Sequence, residues 1–244
     1  MRIHLEKIVT AVAAGCLAVS VALPRDAAAT TTPSNVPEYL RDYAATDDSR
    51  DLLVRVDEVL NALTYTYYSS LDYWDPVRGV YKVVCAGYLN HLFDEALASQ
   101  YDWILDYYDK TKLGVWDYYS FFRSIPVGGT KGGWIRLGSF ASIRPGDVLV
   151  WRKNDAESSS AWGHAVVVVG MPVRDYRWPN AYSIRVSDST STPHSDDNRC
   201  SSCSGVGAGV MLFKVNPDTG RPYALAWTSK GYWNSEVSIV MARP

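Results

Sequence analysis

Cysteine and histidine are scarce, with 4 of each in 244 residues. So few cysteines exclude a disulfide-dense scaffold, in which bridges replace a core. Neither sign of charge dominates: 24 Lys and Arg against 26 Asp and Glu leave a net charge of −2. That excludes a chain built to hold nucleic acid or an anionic membrane surface by bulk charge. Past residue 23 no apolar run is long enough to span a bilayer, and no internal repeat is visible. What is present is ordinary for a globular protein: 47% hydrophobic and 20% charged residues allow a packed core. Aromatic residues are plentiful, with 17 Tyr and 9 Trp. They read first as amphipathic rings in core and surface, and second as a cleft that stacks on sugars or peptides.

Residues 1–29 have the pattern of an export signal. Arg2 and Lys7 give a positive start, diluted by Glu6; Ile8 to Leu23 are apolar; Ala27-Ala28-Ala29 offers small residues for cleavage before Thr30. A lipoprotein reading of Ala13-Ala14-Gly15-Cys16 is less favoured, because the apolar run continues past Cys16 to Leu23. Residues 30–46 read as a flexible N-terminus, rich in Thr, Pro and Ser at its start. Residues 47–244 read as a single domain. Its first helix carries Leu52, Leu53, Val56, Val59 and Leu60 on one face, with Ser49 or Asp48 as cap. Leu71 to Gly79 reads as a loop. Residues 102–123 form an aromatic helical pattern broken at Gly114, and 127–133 a turn or mobile loop. From 134 onward, short apolar runs between turn signals predict an antiparallel sheet. Helices first and strands later give an α+β fold.

The chemistry centres on Val84-Cys85-Ala86-Gly87-Tyr88. A short apolar run precedes it, and Leu89, Leu92, Phe93, Ala96 and Leu97 follow at helical spacing, so Cys85 stands where a helix begins. Free amide groups and the positive end of the dipole favour a thiolate there, and the thiolate is the nucleophile. Downstream, Pro145-Gly146-Asp147 opens one apolar run. Gly163-His164 opens the next, and Asp188 ends a third after Ile184 and Val186. A cysteine at a helix start, a histidine at a strand start and a polar residue on the neighbouring strand make a nucleophile, a base and an orienter.

Other readings of these residues stay open. Once a leader is removed, three cysteines remain. Cys200 and Cys203 are spaced for a local disulfide, which leaves Cys85 as the odd thiol. Cys85 is otherwise a buried structural thiol, or a partner of Cys200 or Cys203. His194, Cys200 and Cys203, with Asp196 or Asp197, are a weak metal pattern. His91 falls six positions after Cys85, which is not a same-face spacing. His194, in a polar segment, reads as solvated.

In their order, Cys85, Gly87 and Tyr88, then Pro145-Gly146-Asp147, then Gly163-His164, then Asp188 resemble the NlpC-like cell-wall cysteine peptidases and amidases, a papain-related group. The resemblance covers about residues 64–190, with 101–123 as an insertion and the later residues as an extension of the sheet. It implies a papain-like, NlpC-type α+β fold with the nucleophile helix packed on a C-terminal antiparallel sheet. It also implies an exported bacterial enzyme, periplasmic or extracellular, that cleaves an amide of peptidoglycan or a peptide through an acyl-enzyme. Cys85, His164 and Asp188 are then catalytic. A tyrosine among Tyr65, Tyr67 and Tyr68 adds an oxyanion or substrate contact. No metal, organic cofactor or nucleic acid is implied, and a monomer suffices. Two positions depart from the family: Val84 and Ala86 replace an Asp and a Ser that help hold stem-peptide substrates. No LysM or SH3-like wall-binding module is recognisable. A cysteine acyltransferase, an ester or thioester hydrolase, and a non-catalytic module that binds glycan or protein are the alternatives. For an isolated triad, Asp188→Asn is expected to cost less than Asp188→Ala.

Overall fold

The computed structural model describes residues 38–154 and 163–244, which fall in one compact unit. The expected export signal (1–29) and the first part of the expected flexible segment (30–37) lie outside the described residues. Residues 38–46 do not read as loose chain. Glu38–Tyr43 form a 3₁₀ turn, Leu40 is buried, and Arg41 pairs with Asp57 at 2.7 Å.

The apolar face of α1 (Asp47–Ala62) is buried through Leu52, Leu53, Val56, Val59 and Leu60. Thr46 is its cap, accepting the Ser49 N–H at 3.0 Å, while Ser49 itself faces the interior. Three short strands follow: β1 (Tyr65–Tyr68), β2 (Tyr73–Asp75) and β3 (Val80–Val83). They form a small sheet in the order β1-β3-β2, with β1 parallel and β2 antiparallel to β3. The loop expected over 71–79 therefore contains a strand. Trp74 anchors it, packing on Tyr81 and stacking on the His91 ring. The hydrophobic pattern of three residues is too short to show this in sequence.

Helix α2 (Cys85–Ala96) runs almost directly into α3 (Ala98–Tyr108), and Gly114 opens α4 (Val115–Ser124). The segment 127–133, expected as a turn or mobile loop, holds the turn of a hairpin and its first short strand. Strands β4 (Thr130–Lys131) and β5 (Trp134–Arg136) are joined by Gly132 and Gly133, both at positive φ, as a two-residue hairpin turn requires.

The main sheet adds β6 (Val148–Lys153), β7 (Gly163–Val168), β8 (Val173–Asp175), β9 (Ala181–Thr190), β10 (Gly205–Val215), β11 (Pro222–Ala226), β12 (Trp233–Asn234) and β13 (Val237–Arg243). Its order is β12-β11-β10-β9-β7-β6-β13-β5-β4, with β8 on β9 and every pairing antiparallel. The mixture of helices with an antiparallel sheet is α+β. The residues after 190 do not merely lengthen the sheet, because β13 returns to its interior between β6 and β5.

The runs in β6 and β7 are apolar throughout because both faces are covered. Val148, Val150, Ala165 and Val167 meet the helices; Leu149, Trp151, Val166 and Val168 form a second core with Phe140, Ile184 and Phe213. Gly146 has φ +88, and a Cβ there would lie 2.3 Å from the Ser49 carbonyl oxygen. Asp147 accepts the Arg144 N–H at 2.8 Å and a two-point bond from Arg243 at 2.7 and 2.8 Å. The Pro-Gly-Asp turn thus fastens the start of β6 to α1 and to the end of β13.

Candidate active site

Cys85 is the first residue of α2, and Val84 before it provides no side-chain cap. The first amides of the helix have no intrahelical partner, so they remain donors toward whatever approaches the thiol. The helix is set against β9 by side chains on one face of that strand. Ser187 Oγ lies 2.8 Å from the Tyr88 hydroxyl, and Ser189 donates to the Val83 carbonyl at 2.6 Å. Asp188 lies between them and points to the opposite face, with Ile184 and Val186 of the second core. A Cβ at Gly87 would sit 3.3 Å from both Val83 Cβ and Asp72 Oδ1, so the first turn of α2 is closely packed.

Cys85 is a free thiol, 4% exposed, and lies close enough to His164 and to Tyr68 to perturb both electrostatically. His164, the second residue of β7, donates from Nε2 to Asp188 Oδ2 at 2.6 Å, which leaves Nδ1 for the thiol. Burial pulls the His164 pKa down, but Cys85 and Asp188 outweigh it and push it up to about 10. The ring is held between Trp151, at 5.2 Å, and Trp227, at 5.0 Å. These walls fix its plane and exclude water from the Asp188 side.

Asp188 is fully buried, and three donors converge on it. Besides His164, His194 Nε2 lies 2.9 Å from Oδ2 and Arg199 Nη2 2.9 Å from Oδ1. Burial alone would raise the carboxyl pKa; His194, Arg199 and His164 hold it well below the ordinary carboxylate range. His194 also donates from Nδ1 to the Trp227 carbonyl at 3.1 Å. Its two nitrogens thus face the Asp188 carboxylate and a backbone carbonyl, which fixes the ring in place. Arg199 bonds Asp197 at two points, each 2.8 Å, and the Gly205 carbonyl at 2.7 Å. Asp188 is thus shared by His194 and Arg199, and Asp197 pairs with Arg199.

The expectation that His194 is solvated is corrected here, since its side chain is wholly buried. Neither His194, Arg199 nor Trp227 was legible as part of the site. His194 and Arg199 lie in the polar segment between β9 and β10, and Trp227 follows β11; the pairing of β9 with β10 and of β10 with β11 brings them back over Asp188.

Of the three candidate tyrosines, Tyr68 lies beside the thiol, whereas Tyr65 and Tyr67 are more than half exposed. Two-residue alternation along β1 separates them. Burial, Cys85 and Asp188 push the Tyr68 hydroxyl up to about 12, so it stays protonated and remains a donor. Its N–H donates to Ser204 Oγ at 3.2 Å. Cys200 and Cys203 are joined in a disulfide just ahead of that serine. The bridge takes both thiols from the metal pattern, and His194 and Asp197 are already committed to Asp188 and Arg199. His91 stacks on Trp74 and bonds Asp72 at 2.9 Å, apart from this cluster.

No family model matches the chain, and neither a curated protein nor a solved structure matches it. Among the described residues no helix is long and apolar enough to cross a membrane.

Proposed function

We propose that this chain is an exported cysteine hydrolase that cleaves an amide bond through an acyl-enzyme, on an NlpC-like, papain-related fold. The observation that carries the reading is the grouping of Cys85, at an uncapped helix start, with His164, whose ring bonds the buried Asp188. The thiolate of Cys85 attacks the carbonyl carbon. The amides at the start of α2 and the Tyr68 hydroxyl bind the oxyanion, where one donor is worth roughly 3 kcal/mol. His164 protonates the leaving amine from Nδ1, then takes a proton from the water that releases the acyl group. Asp188 holds the imidazolium in plane throughout. Export agrees with the residues of the leader and with a disulfide at Cys200–Cys203, which suits an oxidising compartment. Peptide or peptidoglycan stem peptide is the substrate class. Val84 and Ala86, where the resembled family has Asp and Ser, favour an end of the substrate that carries less charge.

The test is hydrolysis of muropeptides and of blocked dipeptide amides, with iodoacetamide labelling of the folded protein in parallel. Turnover that vanishes on stoichiometric labelling of Cys85 supports the reading. A thiol inert until unfolding would turn it into a binding module on the same fold.

A further inference from the structure

A second concave site shares no residue with the Cys85 cluster. The main sheet curls until β11 lies alongside β13, yet no ladder joins these strands among the described residues. In the seam is a cavity of about 320 Å³, lined by Tyr119 and Arg123 of α4, Arg136 of β5, Arg221, Tyr223 and residues 237–241 of β13. Three arginines line it, and no carboxylate is among the described lining residues. Arg123 donates to the Tyr119 and Ser238 hydroxyls at 2.5 and 3.2 Å, and Arg136 to the carbonyls of Arg123 and Ile125 at 2.8 and 3.0 Å. Neither bond set neutralises charge. Burial, together with Arg221 and Arg123, lowers the Arg136 pKa, which marks the crowding of like charge.

The backbone beside these arginines is also open. The Met241 carbonyl accepts from the Leu137 N–H at 2.9 Å on the side away from β6. Two-residue alternation turns the N–H and C=O of Ile239 the same way. By then the chain after β5 has left the sheet, and among the described residues no strand pairs with Ile239 on that side. An unpaired strand edge is a template for an added strand. A guanidinium fork matches a carboxylate in two-point geometry.

We propose that this seam binds an extended acidic peptide segment, which bonds the backbone edge of β13 at Ile239 and sets a carboxylate among Arg123, Arg136 and Arg221. The edge supplies register whatever the sequence, and the arginines select a glutamate or aspartate on the face turned toward them. A free oxyanion could use the arginines but not the strand edge, and that difference separates the two.

The experiment is fluorescence anisotropy of the full chain with a blocked, labelled pentapeptide, Val-Glu-Val-Glu-Val, and its Gln and Lys counterparts. The Glu peptide should bind at least about tenfold tighter than the Gln peptide, as loss of a charge-assisted bond implies. The Lys peptide should not bind measurably, and affinity for the Glu peptide should fall as salt is raised. Arg221→Ala and Arg123→Ala, both on the exposed rim, should each weaken the Glu peptide about tenfold without lowering the melting temperature by more than a few degrees. Equal affinity for the Glu and Gln peptides overturns the proposal, and needs no variant. Unchanged binding by both arginine variants does the same. If inorganic phosphate binds in the arginine-dependent way while the peptides do not, the seam is an oxyanion site only.

Discussion

Replacing His164 by alanine tests the coupling on which the catalytic reading rests. In an ordinary triad this change would strand the orienting carboxylate. Here Asp188 keeps two of its three partners, His194 and Arg199, each at 2.9 Å. The buried charge therefore stays compensated, and the large penalty for an orphaned ion does not arise. What is lost is one hydrogen bond to a charged acceptor and the packing of a ring between Trp151 and Trp227. Those losses come to about 2–4 kcal/mol, so the variant should melt lower but remain folded.

At Cys85 the consequence is sharper. The thiol keeps Tyr68 and the amides of α2 but loses the neighbour that accepts its proton. Labelling by iodoacetamide at pH 7 should slow by about tenfold or more. Turnover should fall by a factor on the order of 10⁵–10⁶, and the double variant with Cys85→Ala should be little worse, because nucleophile and base have no separate use. His91→Ala is the control: His91 is bonded to Asp72 and stacked on Trp74, so neither rate should change. If labelling of Cys85 at pH 7 proceeds at the wild-type rate in folded His164→Ala protein, the two side chains are not coupled and the hydrolase reading fails.

Other expectations follow from the same geometry. Asp188→Asn should not be milder than Asp188→Ala, contrary to what a three-residue site implies. All three groups around Asp188 are donors, so an amide N–H₂ must face one of them, and His194 and Arg199 lose their counterion. Both variants should lose about 3–5 kcal/mol in denaturant titrations, and an asparagine variant of wild-type stability would show that the carboxylate is not shared as described. Gly146→Ala should cost about 2–4 kcal/mol by the same measurement, since φ +88 and a 2.3 Å approach to the Ser49 carbonyl leave no room for a methyl group; a neutral change would place the turn elsewhere. Stability should also depend on pH in a definite direction. The folded His164 pKa of about 10 lies above the ordinary 6.5, so its contribution is complete below about pH 6.5 and fades as pH rises through 10. Melting temperature should therefore fall between pH 7 and 10, and fall less in Cys85→Ala, where the charge that raises His164 is gone. Asp188, held low, acts oppositely: its contribution is present above about pH 4 and lost as pH drops below.

Much of the scaffold was legible because it rests on local patterns. The apolar spacing of α1, the break at Gly114 and the doubly covered runs of β6 and β7 all follow from periodicity and burial. Cys85 and His164 stood out in the sequence because each opens an element, whereas Asp188 lies within β9, and its grouping with them depends on the pairing of β7 with β9. The misreadings share another cause. β2 is three residues long, and its place depends on Trp74 meeting Tyr81 and His91. The insertion of β13 between β6 and β5 depends on Asp147 meeting Arg243, which is 96 residues away. Such placements are decided by long-range partners that leave no trace in a local window.

His194 sharpens the choice between a catalyst and a binding module. A module that only binds has no use for a base, and less for a carboxylate buried at the cost of three further polar groups. Burying Asp188 means removing an ion from water, and His194, Arg199 and Asp197 must be buried with it to make that tolerable. A hydrophobic residue at 188 would be simpler and no less stable, as replaced buried ion pairs often show. What the ionic cluster supplies and an apolar core cannot is a fixed anion beside an imidazole that has a thiol as its neighbour. The arrangement keeps His164 oriented whether its ring carries one proton or two. That property suits a proton that moves between Cys85 and His164, and in this way the buried cluster supports the proposed acyl transfer at Cys85.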